Sequence, residues 1–184
     1  MKIEFRAVLG VVLGSLALAG CSSQNDTVTA EDASVEDVAA QVAKANLKPM
    51  PGRWESKMQI KSIEMPGLPP EVQGMMKSQL GKVQTSLTCL TQEQADKVDG
   101  EFFKPGDNPG CKYDTFSMGN GKIKADMRCQ EGNMSQNMTM EGSYGKESYA
   151  MDITAEGKME GNPISMAMHV ESKRVGECDG KEAS

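Results

Sequence analysis

The strongest constraint on this chain's fold is a period of two in its polarity. Met134, Gln136, Met138 and Met140 share one phase of residues 133–142, and Tyr149, Met151 and Ile153 share one phase of the next segment. Ile164, Met166, Met168 and Val170 then alternate with Ser165, Ala167, His169 and Glu171. Successive side chains on a strand point to opposite faces, so each segment reads as a strand with one face on a core. Gly145 and Lys146 mark a turn, and residues 157–163 read as a loop. Earlier, Trp54, Ser56, Met58 and Ile60 alternate with Glu55, Lys57, Gln59 and Lys61, until the prolines of 66–70 break the run. Residues 82–90 form a further strand with imperfect alternation. Strands joined by short turns predict a mainly β fold with minor α: an antiparallel β-meander forming a curved or barrel-like sheet, with short helices. No internal repeat of fixed period is present.

Three segments break the period. Ser34 is placed to cap a short helix over 35–46, with Val35, Val38, Ala39, Val42 and Ala45 on one face. Residues 71–80 carry Val72, Met75, Met76 and Leu80 at helical spacing. Thr91-Gln92-Glu93-Gln94 has the form of a capping box opening a helix to about residue 98. A loop rich in Gly, Pro, Asp and Asn follows over 100–110.

The N-terminus has the marks of a targeting segment. Lys2 and Arg6 flank Glu4, and the apolar run 7–19 is too short to cross a bilayer as a helix. It ends in Leu18-Ala19-Gly20-Cys21, which resembles a bacterial lipobox. That resemblance implies cleavage before Cys21, a diacylglyceryl group on its sulfur and an acyl group on the new N-terminus. Each buried methylene adds about 0.8 kcal/mol of membrane affinity and stable anchoring takes about two chains, so three would hold permanently. Ser22, where an Asp would mark inner-membrane retention, implies the periplasmic face of the outer membrane. The expected organisation is 1–20 signal peptide, 21–33 acylated cysteine and flexible tether, 34–46 short helix, and 47–184 disulfide-linked β domain. The net charge is −6 with no basic cluster, which argues against a nucleic-acid partner and against electrostatic adhesion to anionic lipid. The expected membrane partner is reached through the lipid alone; a protein or small-molecule partner stays open.

With Cys21 acylated, Cys89, Cys111, Cys129 and Cys178 remain, an even number in an exported chain. No C-x-x-C occurs, which disfavours a zinc ribbon or a thioredoxin-type site. A three-residue hairpin loop, Gly119-Asn120-Gly121, with Gly121 at the left-handed bulge position, sets Cys111 opposite Cys129. Cys89 with Cys178 follows by elimination. A two-residue loop would shift the register and part the first pair, so the connectivity is open at this level.

Several pieces in fixed order resemble a bacterial family, domain of unknown function 3617. They are Pro51-Gly52-Arg53-Trp54-Glu55; Gln84; Cys89-Leu90-Thr91 with Glu93-Gln94-Ala95; Cys111 and Cys129; and Arg174-Val175-Gly176-Glu177-Cys178. The resemblance covers about 50–178 and implies an exported protein, in many members a lipoprotein. Arg53 departs from it, standing where the family usually has Leu, which puts the packing around Trp54 in question. The family has no established activity and transfers no catalytic residue.

No catalytic motif is visible. His169 is the only histidine and no nucleophile elbow accompanies it, so no enzyme activity and no cofactor are expected. The unusual enrichment is methionine, 15 against one Trp, three Tyr and four Phe. Met134, Met138, Met140, Met166, Met168 and His169 are candidate copper(I) ligands, since soft thioethers favour that ion. The period opposes the idea: Met166 and Met168 share a face with Ile164 and Val170, and His169 faces away. Flexible Met also fills cores where aromatics are scarce. Three functions follow: a non-catalytic binding or structural envelope lipoprotein, a Met-based copper(I) protein, or a carrier of a small apolar ligand. An exposed Met cluster favours the second, an apolar cavity the third, a filled core the first.

Overall fold

A computed structural model describes residues 27–45, 48–96, 110–159 and 161–182. In chain order the elements are β1 (Val28–Ser34), α1 (Val35–Lys44), β2 (Gly52–Glu64), α2 (Pro70–Lys77), β3 (Val83–Leu90), α3 (Gln92–Asp96), β4 (Cys111–Gly119), β5 (Lys122–Glu131), β6 (Met134–Tyr144), β7 (Ser148–Met159) and β8 (Asn162–Gly176). The eight strands form one sheet in the order β1-β4-β5-β6-β7-β8-β2-β3, with every pairing antiparallel. β4 to β8 are the expected meander. β1 adds to its β4 side and the β2–β3 hairpin to its β8 side. The sheet is curved and does not close.

Residues paired across strands share a face, so the registers define rows. One row reads Tyr113, Met127, Met138, Ala155, Met166, Ile63, and the next Phe116, Ala125, Met140, Ile153, Met168, Ile60. This inner face is the apolar phase seen in the sequence. The outer face carries Lys124, Glu141, Asp152, His169 and Gln59 in one row, with Lys124 Nζ 2.6 Å from Glu141.

Helix α1 lies on the inner face at the β1–β4–β5 end. Ser34 Oγ accepts a hydrogen bond from Asp37 N, satisfying an amide the first turn leaves open. Val35, Val38 and Val42 turn inward onto Cys111, Tyr113, Phe116, Met118, Ile123 and Met127. Each such valine contributes about 1.5–3 kcal/mol, which anchors a helix too short to stand alone. Tyr113 and Phe116 meet edge to face at 5.3 Å between centroids.

Three differences from the sequence reading have physical causes. Part of the expected tether is strand: β1 pairs Val28 with Met118 and Ala33 with Tyr113. Its alternation is masked because Asp32, at φ 47, breaks the phase and only Val28 is both large and apolar. The helix after it therefore belongs to the core rather than to an appendage. Much of the expected 157–163 loop is also strand, since β7 runs to Met159 and β8 starts at Asn162, with Gly157 paired to Ile164. The 111–129 hairpin has a two-residue turn in place of three: Asn120 and Gly121 take φ 51 and 72 between paired Gly119 and Lys122. Both positive values fit the type I′ turn that matches strand twist. A bulge at Asp114 then restores the register, and Cys111 still faces Cys129. The expected signal peptide 1–20, Cys21 and the tether to residue 26, residue 46 of the expected first helix, residues 97 and 98 of the helix expected after Thr91, and most of the 100–110 loop lie outside the described residues.

Candidate functional site

The inner face holds an apolar pocket of about 230 Å³. Met118 of β4 and Thr88 of β3 both border it. These strands lie six steps apart, about 29 Å on a flat sheet at about 4.8 Å per strand. Sharing one small hollow therefore requires the sheet to curl strongly. Val42 of α1 covers one side, and Leu90, Ile123 and Met151 add apolar walls. Gly142, between Ile123 and Met151 in its row, adds no side chain there.

The aromatic wall is Trp54 and Tyr149, stacked at 6.3 Å between centroids. Trp54 is buried, and its Nε1 donates to Met50 O at 3.0 Å. The buried indole N–H thus has its partner. Thr88, Ser143, Tyr144 and Tyr149 bring hydroxyls to the lining, and Ser56 and Ser172 form a bonded hydroxyl pair, with Oγ atoms 2.8 Å apart across the β2–β8 pairing and Ser172 only 4% exposed. Ser56 and Ser172 occupy the apolar phase of their strands. That mismatch is the signal in the sequence that could have pointed to them.

The resembling sequence pieces converge on the adjoining corner. Gly52 has φ 137, and a Cβ there would meet Gly176 O and the Arg174 side chain, so only glycine fits. Arg174 Nε donates to Pro51 O at 2.7 Å, and its Nη2 pairs with Glu177. Gly52 is paired with Leu90, and the Cys89–Cys178 bond closes the corner across β2, with 5.4 Å between Cα atoms. Thr91 and Gln94 exchange reciprocal hydrogen bonds as the capping box at α3. Arg53 points away from Trp54, as neighbours on a strand must, and pairs with Asp179 at 2.6 Å. The question over Trp54 packing thus resolves by alternation. Cys111 and Cys129, bonded with 4.0 Å between Cα atoms, sit at the far, α1-covered side.

The copper candidates are divided. Met134, Met138, Met140, Met166 and Met168 are half-buried on the inner face, with Met138 and Met166 on either side of Ala155. His169 stands on the outer face with Nδ1 2.9 Å from Asp152 Oδ1, which also receives Lys61 Nζ at 2.7 Å. Lys61 first and His169 second hold the exposed Asp152 carboxyl below its ordinary range. The structure therefore does not bring His169 to the thioethers. No cluster of three His, Cys, Asp or Glu residues suited to a metal occurs among the described residues. A second hollow of about 500 Å³ lies between α2 and the end of β2, but Lys61, Glu64 and Lys77 border it. The smaller pocket is the better site because its chemistry is uniform and its walls are fixed by the sheet. No described helix is long and apolar enough to cross a membrane.

Fold and pocket together define an open, curled antiparallel sheet with an apolar hollow on its inner face. The chain belongs to the family described as protein of unknown function (DUF3617), which it matches over residues 49–178. No curated protein and no solved structure matches it.

Proposed function

We propose that this is a non-catalytic, lipid-anchored protein of the bacterial cell envelope that binds a small apolar ligand in the inner-face pocket. One observation carries the binding: a hollow that shows no charged side chain among its described lining residues, walled by Trp54, Tyr149, Leu90 and Met151. Sites for small molecules are concave, mostly apolar and carry a few placed polar groups. A dry cavity of about 150 Å³ accepts benzene, so this one suits a molecule roughly half again that size. The lipobox-like Leu18-Ala19-Gly20-Cys21 supports the anchor, and the acidic surface leaves the lipid as the hold on the membrane.

The binding is tested on the chain from residue 22 with nitrobenzene, a neutral quencher of the size the pocket suits, read by the emission of Trp54, the only tryptophan. Saturable quenching of Trp54 is expected. Linear, unsaturable quenching would remove the binding reading. The anchor is tested separately: the full precursor should take up labelled palmitate and enter the detergent phase, and Cys21→Ser should do neither. Unlabelled wild-type protein would refute lipidation while leaving the pocket standing.

A further inference from the structure

We infer that the pocket selects neutral ligands bearing one hydrogen-bond-accepting oxygen, aimed at the Ser56–Ser172 hydroxyl pair, and rejects ions. This rests on the binding reading above and names the class of ligand. The Trp54 N–H already donates to Met50 O, so it has nothing left for a ligand. Among the hydroxyl residues of the lining, with Thr88, Ser143, Tyr144 and Tyr149, the two serines stand out by their mutual bond. Each hydroxyl carries one proton and two lone pairs, and the single bond between them uses one proton. The second hydroxyl proton remains, on a pair that borders the hollow and in which Ser172 is almost fully removed from water. A carbonyl or ether oxygen placed there completes the set; a hydrocarbon leaves it incomplete. An anion or cation entering the same space meets no opposite charge among the described lining residues, and its desolvation goes uncompensated. In the β7–β8–β2 register Ser172 stands between Tyr149 and Ser56, so the hydroxyls lie beside the aromatic wall. A flat ligand stacked on that wall therefore has its oxygen directed at the pair.

Four molecules of one shape separate the possibilities: cumene, acetophenone, benzoate and benzamidinium, titrated into the soluble chain by calorimetry and ligand-observed NMR. Acetophenone should bind about fivefold tighter than cumene, the worth of one hydrogen bond. Benzoate and benzamidinium should bind at least roughly tenfold more weakly than acetophenone. The double variant Ser56→Ala/Ser172→Ala should bring acetophenone down to the cumene level and keep cumene within about twofold, which also shows the variant to be folded. Equal binding of ketone and hydrocarbon, or an ion binding tightest, overturns the inference while the pocket stands. No binding by any of the four, cumene included, overturns the pocket reading itself.

Discussion

The two halves of the inner face share one pattern and differ in cover. At the β1–β4–β5 end, Tyr113, Phe116, Met118, Ile123 and Met127 are sealed under α1. From β6 to β2, Met138, Met140, Ile153, Met166, Met168 and Ile60 stay half-buried in the same rows, while Trp54, Ile63, Met151 and Ala155 are buried. Periodicity reports which face is apolar; what lies over it comes from elsewhere in the chain. The hollow forms where the half under α1 meets the other, with Val42 on one side and Met151 on the other.

The largest expected effect concerns the tie at the β2–β3 end. The Cys89–Cys178 bond spans 89 residues. Replacing both cysteines by serine should lower stability by about 4–5 kcal/mol if loop entropy governs, measured by guanidinium unfolding. A loss near the ~3 kcal/mol expected for the 18-residue Cys111–Cys129 loop would show that span does not set the value.

Next comes Tyr113→Ala in the sealed half, expected to cost about 3–5 kcal/mol, against about 1–2 kcal/mol for Met168→Ala in the open half. Equal losses would mean that the halves are equally packed.

The pH response is smaller. Burial pushes the Tyr113 hydroxyl up to about 12 from 10.0. The folded state thus holds the proton where the unfolded chain releases it. Stability from Tyr113 is complete below pH 10 and falls as pH rises toward 12, by at most about 2–3 kcal/mol. Tyr113→Phe should flatten that part of the alkaline melting curve. An unchanged curve would show that Tyr113 is not sealed.

The smallest effect expected is with copper(I). Competition against a chromogenic chelator should show no uptake at micromolar metal; uptake lost on Met138→Leu/Met166→Leu would mean that the open half gathers its thioethers around Ala155.

Much of the fold was legible in the sequence because it is local. The cap at Ser34, the valine face of α1 and the phases of β2, β6, β7 and β8 need only neighbouring residues. The Cys111–Cys129 pairing came from a register argument in which two departures cancel: a shorter turn at Asn120-Gly121 and a bulge at Asp114. β1 was not legible, since small and acidic residues hide its single large anchor, Val28. The pocket was least legible. Its hydroxyl pair joins residues 116 apart in sequence, and its walls depend on how far the sheet curls.

The Cys89–Cys178 bond also sets a mechanical order. It turns the chain from 89 to 178 into a covalent ring that contains all of β4 to β8, with the smaller 111–129 ring nested inside. β1, α1 and β2 lie outside it. A pull on the N-terminus would therefore unzip β1 from β4, lift α1 and draw β2 from its place beside β8. Beyond Cys89 the Cys89–Cys178 bond would take up the load, and the meander within the ring would stay linked end to end.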